Sequence, residues 1–433
     1  MNQPRRESLD IRDTLLVASL ALFPIFFLTV RGWVNGFLFF LFLLSLTYYR
    51  DYLPPWRATK LDVQSLSVIT ALASPFLAIL ISQALRGDFM AKPYDGPLRM
   101  LLAIPLFLLL REKKIDFVKL LQYACPISLL LAVGSTILFP FRSGERLATY
   151  FVDPITFGNY SLVLGFMSLF SIHLLERDSK FVVGLKFLGF LAGVYLSIGS
   201  QSRSGWLAAP VLLVIWLITR RELLRPRARL AVVGVAIASA LLFYSALSPV
   251  HQRINDAIQN VETWATGKNP NTSVGYRLTM WRMALVLFLD QPLYGYGDEG
   301  YLHLLDTHPE IVSFATPEAR LVMHTGPHNE LLASMLRAGI FGLTSTLLVF
   351  FVPAFLFSKN LRSPLPSARG ASLLGLCFVI GLFLSGFFGE QVLYLKFLAS
   401  FYGMMIASLC ATALTEENKK PTGATSSALN AGL

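Results

Sequence analysis

Apolar residues run along this chain in long blocks, not in the strict alternation of a half-buried strand or the single stripe of a surface helix. Twelve blocks stand near 14–30, 33–49, 65–85, 97–110, 118–139, 160–175, 182–200, 205–219, 230–248, 331–357, 371–388 and 397–414. A helix needs about 20 apolar residues to cross a bilayer, and most blocks approach that length; the fourth and eighth borrow flanking residues. The pattern predicts an all-α polytopic membrane protein of about twelve transmembrane helices, forming one integral domain over residues 1–433. The first block has no small-residue cleavage pattern behind it and reads as a retained span, not a signal peptide. With the N-terminus inside, the cytoplasmic loops hold Arg50, Arg57 and Lys60, then Arg111, Lys113 and Lys114, Arg177 and Lys180, the cluster Arg220 to Arg229, and Lys359, Arg362 and Arg369. The opposite hairpins are poorer in Lys and Arg, as the positive-inside rule requires. Both termini are then cytoplasmic, and residues 415–433 read as a disordered tail.

One connection breaks the rhythm. Residues 249–330 join the ninth and tenth blocks on the outer face, and a loop this long is usually functional. It holds five of the six histidines (His251, His303, His308, His324, His328) and two stretches with helical periodicity. The first runs from Val250 to Thr266. The second, Tyr276 to Leu289, sets Arg277 and Trp281 at i,i+4, ends at the Pro292 turn, and carries an apolar side suited to lying in the membrane interface.

Composition agrees with the blocks. Hydrophobic residues make up 54% and charged residues only 15%, against about 25% charged in a soluble domain, so soluble, disordered and disulfide-scaffold classes are excluded. Cys125, Cys377 and Cys410 all fall inside apolar blocks, which argues against disulfides or a zinc site. The net charge of +11 orients loops, and no basic run interleaved with aromatics offers a nucleic-acid surface.

Charges on the less basic face need explaining, because they are costly near a bilayer. Arg142 and Arg146 flank a short Ser-Gly-Glu turn ahead of Asp153-Pro154 and Gly158-Asn159. Arg203 stands in Ser202-Arg203-Ser204-Gly205, a very tight hairpin between two blocks. Arg277 and Arg282 share the second periodic stretch, and His324-Thr-Gly-Pro-His328-Asn329-Glu330 leads into the tenth block. Taken singly, each arginine also reads as a headgroup anchor. Arg203 is the exception, since so short a hairpin gains nothing in topology from an outward positive charge. Arginines from several loops on one face instead fit a shared anionic ligand, for which the guanidinium supplies bidentate donors and permanent charge. With Pro327 taken as the first helical residue, His328 falls in the first turn, where the helix dipole keeps its ring neutral and able to accept a proton. A capping or interfacial histidine is the competing reading. Gly-Pro between His324 and His328 keeps the two off one helical face, unlike a zinc-binding pair, so neither metal nor cofactor is expected. Gly295-Tyr-Gly297 follows no strand and reads as a turn, not a phosphate loop.

Arg277-x3-Trp281 with Pro292 and Gly295-x-Gly297, then His328-Asn329 and Gly339-x2-Gly342, resembles the O-antigen ligase/polymerase superfamily. Asp153-Pro-x3-Gly158-Asn159 and Arg203-Ser-Gly205 fit the same family in the same order. The motifs span roughly residues 140–345. One departure is Arg337, where many members carry an acid. The resemblance implies a GT-C-like inner-membrane glycosyltransferase acting on its periplasmic side, with residues 249–330 as the large periplasmic loop. It takes a polysaccharide from undecaprenyl diphosphate and passes it to lipid A–core oligosaccharide, without metal and with inversion. His328 would be the catalytic base, and Arg142, Arg146, Arg203, Arg277 and Arg282 the diphosphate ligands, with His324, Asn329 and Trp281 as secondary candidates. A polymerase or a protein O-oligosaccharyltransferase of the same superfamily is the alternative. A lipid-linked glycan flippase is a rival from another class; flippases carry ionisable groups at mid-membrane, whereas these blocks are nearly free of charge at their centres.

Overall fold

In the computed structural model, each predicted block that falls on described residues overlaps a helix. The structure describes residues 11–48, 62–220, 227, 234, 259–266, 268, 271–389, 392–393 and 395–415. The predicted block 230–248, His251, most of the stretch Val250 to Thr266 and the tail 416–433 lie outside them; residues 259–265 are helical. The chain runs through α1 (Ile11–Ile25), α2 (Trp33–Thr47), α3 (Val63–Arg86), α4 (Asp95–Lys113), α5 (Phe117–Leu138), α6 (Pro154–Phe170), α7 (Lys180–Ser200) and α8 (Arg203–Thr219). After the undescribed stretch come α9 (Ser273–Asp290), the short α10 (Leu304–Thr307), α11 (Pro309–Phe314) and α12 (Pro317–Met323). The chain ends in α13 (Glu330–Asn360), α14 (Pro366–Gly386) and α15 (Lys396–Ala413). Seven helices among the described residues are long and apolar enough to cross a membrane, and α2, α6 and α8 are shorter apolar helices. This is a mostly helical, polytopic membrane protein.

Helix starts are set by local chemistry. The side chains of Asp62, Asp116, Asp153, Ser179 and Asn329 accept backbone N–H groups in the first turns of α3, α5, α6, α7 and α13, satisfying donors that have no partner inside the helix. The centre of the bundle is formed by α6 and α15, whose residues are buried almost end to end, with α14 beside them. Small residues let these helices approach. A Cβ on Gly193 of α7 would stand 2.5 Å from Ser161 O of α6, and one on Gly189 would stand 2.5 Å from Pro126 Cβ of α5. Gly189-x3-Gly193 thus acts as the small-xxx-small contact that helix pairs use where no hydrophobic force separates protein from lipid.

Three features depart from the sequence reading. The chain is not wholly α: Arg142–Ser143 and Arg146–Leu147 pair as a two-stranded antiparallel ribbon. The spans are not all free of charge within: Lys186, in the second turn of α7, is fully buried. Its ammonium donates to Gln122 Oε1 and Ser171 O at 2.8 Å and to Asp178 Oδ2 at 2.8 Å, while Arg220 grips the carbonyls of Ile172 and His173. This cluster lies at the opposite end of the bundle from the candidate site.

The third departure shapes that site. Helix α13 is broken at Ala338 (φ −142°) and Gly339 (φ 58°), so a half-helix, 330–337, precedes the long apolar part. The turn at Gly295 and Gly297, both left-handed, is bonded into the break. Tyr296 N donates to Leu336 O at 2.7 Å, Gly297 N to Arg337 O at 3.0 Å, and Ile340 N to Pro292 O at 2.7 Å. A Cβ on Gly339 would lie 2.4 Å from Leu293 C, and one on Gly295 would lie 2.5 Å from Leu336 O. The two glycine motifs are therefore halves of one backbone crossing, which only residues without a Cβ permit. Arg86, from the end of α3, locks it by donating to Tyr294 O at 2.8 Å and Arg337 O at 3.3 Å.

Candidate active site

The site lies at the end of the bundle where α6, α8 and α13 begin and where α9 to α12 pack. Its first wall is the docking of α6 on the α7–α8 hairpin. A Cβ on Gly158 would meet Ser200 Oγ at 1.9 Å, and one on Gly205 would meet Asn159 Oδ1 at 2.8 Å. Asn159 Oδ1 accepts from Ser202 Oγ at 2.6 Å and from Ser204 Oγ at 3.0 Å. The two motifs that carry these residues thus fit into each other and fix where α8 starts. Arg203 is the first residue of α8; its side chain lies outside the described residues. Arg146 joins the same corner, donating from Nε to Ser200 O at 2.8 Å. Arg142, on the other strand of the ribbon, is exposed.

The second wall is α9, where Arg277 and Trp281 stand one turn apart as predicted. Trp281 Nε1 donates to Pro327 O at 3.1 Å, and its ring packs against Phe388 at 5.8 Å between centroids. Trp281 therefore holds the 324–328 segment in place. Arg282 points elsewhere, its guanidinium 4.0 Å from the Phe314 ring centroid, and His308 pairs with Asp290 at 2.8 Å.

Between these walls sits His328, though not where the sequence placed it. Helix α13 begins at Glu330, and its cap is Asn329, whose Oδ1 accepts from Leu331 N at 3.0 Å and Leu332 N at 3.2 Å. His328 therefore precedes the cap, in the left-handed region at φ 49°, which non-glycine residues seldom occupy. A capping asparagine outcompetes a proline that would merely tolerate the first helical position. The expectation of a neutral ring survives on a different cause. Burial disfavours the imidazolium, the nearby Arg277 cation disfavours it further, and Asp153 opposes them in part, leaving the His328 pKa below its ordinary value.

Two residues that the sequence reading quoted only within motifs, with no role of their own, act on this ring. Asp153 is the cap of α6 and supplies the opposing charge. Thr325 Oγ1 donates to Val322 O at 2.8 Å and lies 3.2 Å from His328 Nε2. Having given its proton to the carbonyl, the hydroxyl acts as acceptor towards the ring, which places hydrogen on Nε2 and the lone pair of neutral His328 on Nδ1. No sequence signal marks Thr325 beyond its place three residues before the histidine. Arg86, which steadies the crossing, reads in sequence as one more basic residue at a helix end.

Asp153, Arg277 and His328, with the histidine in electrostatic reach of the other two, are among the residues that carried the resemblance. Residues 187–347 match the family model described as O-antigen ligase. That stretch is similar to the O-antigen ligase family over about a third of the chain. The matched stretch holds Arg203, Arg277 and His328, and leaves the Arg142–Arg146 ribbon and Asp153 before it. An uncharacterized protein of Haemophilus influenzae is 25% identical over 362 residues, covering 83% of this chain and 89% of its own length. That likeness therefore extends well beyond residues 187–347.

His324 and Thr325 face a separate space. A cavity of about 480 Å³ is lined by residues of the 92–97 turn, the 297–302 loop, the 324–327 segment, the half-helix of α13 and the start of α15. His303 is exposed and does not line it.

Proposed function

We propose that this protein is an O-antigen ligase: it transfers a polysaccharide from undecaprenyl diphosphate to lipid A–core oligosaccharide, at the periplasmic face of the inner membrane. The single observation that carries the reading is a histidine held neutral by burial beside an arginine, with its tautomer set by Thr325. A diphosphate leaving group is already a weak base, so the reaction needs no strong acid. What it needs is a base for the acceptor hydroxyl and fixed positive charge for the departing diphosphate. His328 supplies the first through Nδ1. Arg277, Arg146 and Arg203, from three separate elements, supply the second, and Arg142 and Arg282 stand further out.

The step balances simply. The acceptor oxygen bonds to the anomeric carbon, its proton passes to His328, and the carbon–oxygen bond to the diphosphate breaks with the electron pair leaving on phosphate oxygen. One displacement inverts the anomeric centre. Arginine suits the charge role because its planar fork can hold two phosphate oxygens at once.

The test is transfer by purified protein in lipid nanodiscs, using radiolabelled lipid-linked glycan and lipid A–core. Label should move to lipid A–core, and His328→Ala should slow this by about 10²–10⁴-fold. Label found on longer chains still attached to the carrier would make the protein a polymerase. In sealed vesicles, movement of label across the bilayer without any change of bond would make it a flippase.

A further inference from the structure

The diphosphate reading leaves unused a cavity beside the histidine segment. Its volume, about 480 Å³, falls in the ~300–1,000 Å³ range of small-molecule sites. Its walls are unlike those around His328. Three cations line it, and each meets an anion that also lines it. Lys92 Nζ lies 2.9 Å from Glu299 Oε1, Arg337 pairs with Asp298, and Lys396 pairs with Asp95. The three positive and three negative charges cancel, so the cavity offers no net field to a phosphate, and its carboxylates would repel one. What it offers is a ring of donors and acceptors held in place by one another. That is the complement of sugar hydroxyls, each of which both donates and accepts. Arg337, the departure from the family pattern, is part of this ring and not of the cationic wall.

Position decides which sugar. The cavity wall includes Thr325, Gly326 and Pro327, so a saccharide seated in it lies against the segment that leads to His328. We propose that this cavity is the acceptor subsite, binding an uncharged saccharide unit of the acceptor against the segment that carries His328. The inference rests on the glycan-transfer reading.

Two variants and two readouts test it. Asp298→Asn removes a charged acceptor from the ring. Lys92→Gln with Glu299→Gln alters a surface pair, whose side chains are 77% and 69% exposed, and so spares the fold. The binding probe is the acceptor oligosaccharide freed of lipid and phosphate, titrated calorimetrically into the intact protein in nanodiscs. Asp298→Asn should weaken binding about ten-fold, the loss of one hydrogen bond to a charged group, and the double variant should weaken it by a similar factor. In the transfer assay, acceptor KM should rise by the same factor in each variant while donor KM stays. A rise in donor KM instead would assign the cavity to the donor glycan, and unchanged binding in both variants would remove the saccharide site altogether. Competition by millimolar inorganic phosphate would overturn the uncharged ligand. Because the titration needs no turnover, wild-type protein that binds the probe but transfers nothing would sink the ligase reading and leave the cavity assignment standing.

Discussion

Gly339→Ala probes the backbone crossing that joins the outer helices to α13. The residue sits at φ 58° and ψ −139°, a conformation nearly reserved for glycine, where an alanine costs about 1–3 kcal/mol. Its Cβ would stand 2.4 Å from Leu293 C and 2.6 Å from Pro292 O, and backbone atoms cannot yield as a flexible side chain does. The chain must therefore part at the crossing. The Tyr296–Leu336, Gly297–Arg337 and Ile340–Pro292 bonds would go with it, at about 0.5–1.5 kcal/mol each. The combined cost is about 2.5–7.5 kcal/mol. The matched control is Gly134→Ala in α5, where a Cβ meets nothing within 4 Å and an alanine favours the helix by about 0.5–1 kcal/mol. Thermal unfolding in a fixed detergent, followed by size-exclusion fluorescence, should show Gly339→Ala melting well below the parent and Gly134→Ala at or above it. Transfer activity should fall with Gly339→Ala even below its melting point, because the half-helix 330–337, which follows the 324–328 segment, ends at this crossing. If Gly339→Ala melted with the parent, the account of the two glycine motifs as one joint would be wrong.

Two further outcomes concern the ring of His328. Neutral His328 is the competent form, so transfer should decline as pH falls through its pKa. Arg277→Gln removes a charge that lowers that pKa and should move the acid limb to higher pH; Asp153→Asn keeps a good helix cap, removes the opposing charge, and should move the limb lower. A limb that stays put in both variants belongs to another group. Thr325→Val should reduce single-turnover transfer by roughly 2–12-fold, the worth of one neutral hydrogen bond, while Thr325→Ser restores it; a loss as deep as that of His328→Ala would give Thr325 a larger role than setting a tautomer.

The membrane path was legible because a block of apolar residues can do little else than cross a bilayer, and α3, α5, α7 and α15 lie within a few residues of their predicted runs. The break in α13 was not. In sequence, Gly339 inside an apolar run looks like any small packing residue, and only its partner turn, forty residues earlier, explains it. The ribbon at 142–147 escaped because two-residue strands leave no periodicity to read. His328 was singled out by its company and misplaced in the helix by one local rule, with Asn329 capping where Pro327 had been expected to lead. Arg337 shows the limit of reading by motif: its partner Asp298 sits in a distant loop, so sequence gave only a departure from pattern.

The buried ammonium of Lys186 bears on how the protein is made. A lysine entering hydrocarbon alone is disfavoured by about 2.5–3.5 kcal/mol on insertion scales. Its partners, Gln122, Ser171 and Asp178, all precede it in the chain, so each has been synthesised before α7 reaches the membrane. Asp178 arrives eight residues ahead, and the segment can enter as a neutral pair instead of a lone charge. Arg220, translated later, then closes on carbonyls that α6 has already delivered. Within this cluster the order of the residues along the chain is thus an order of assembly, in which the lysine does not wait in the bilayer for a partner not yet made.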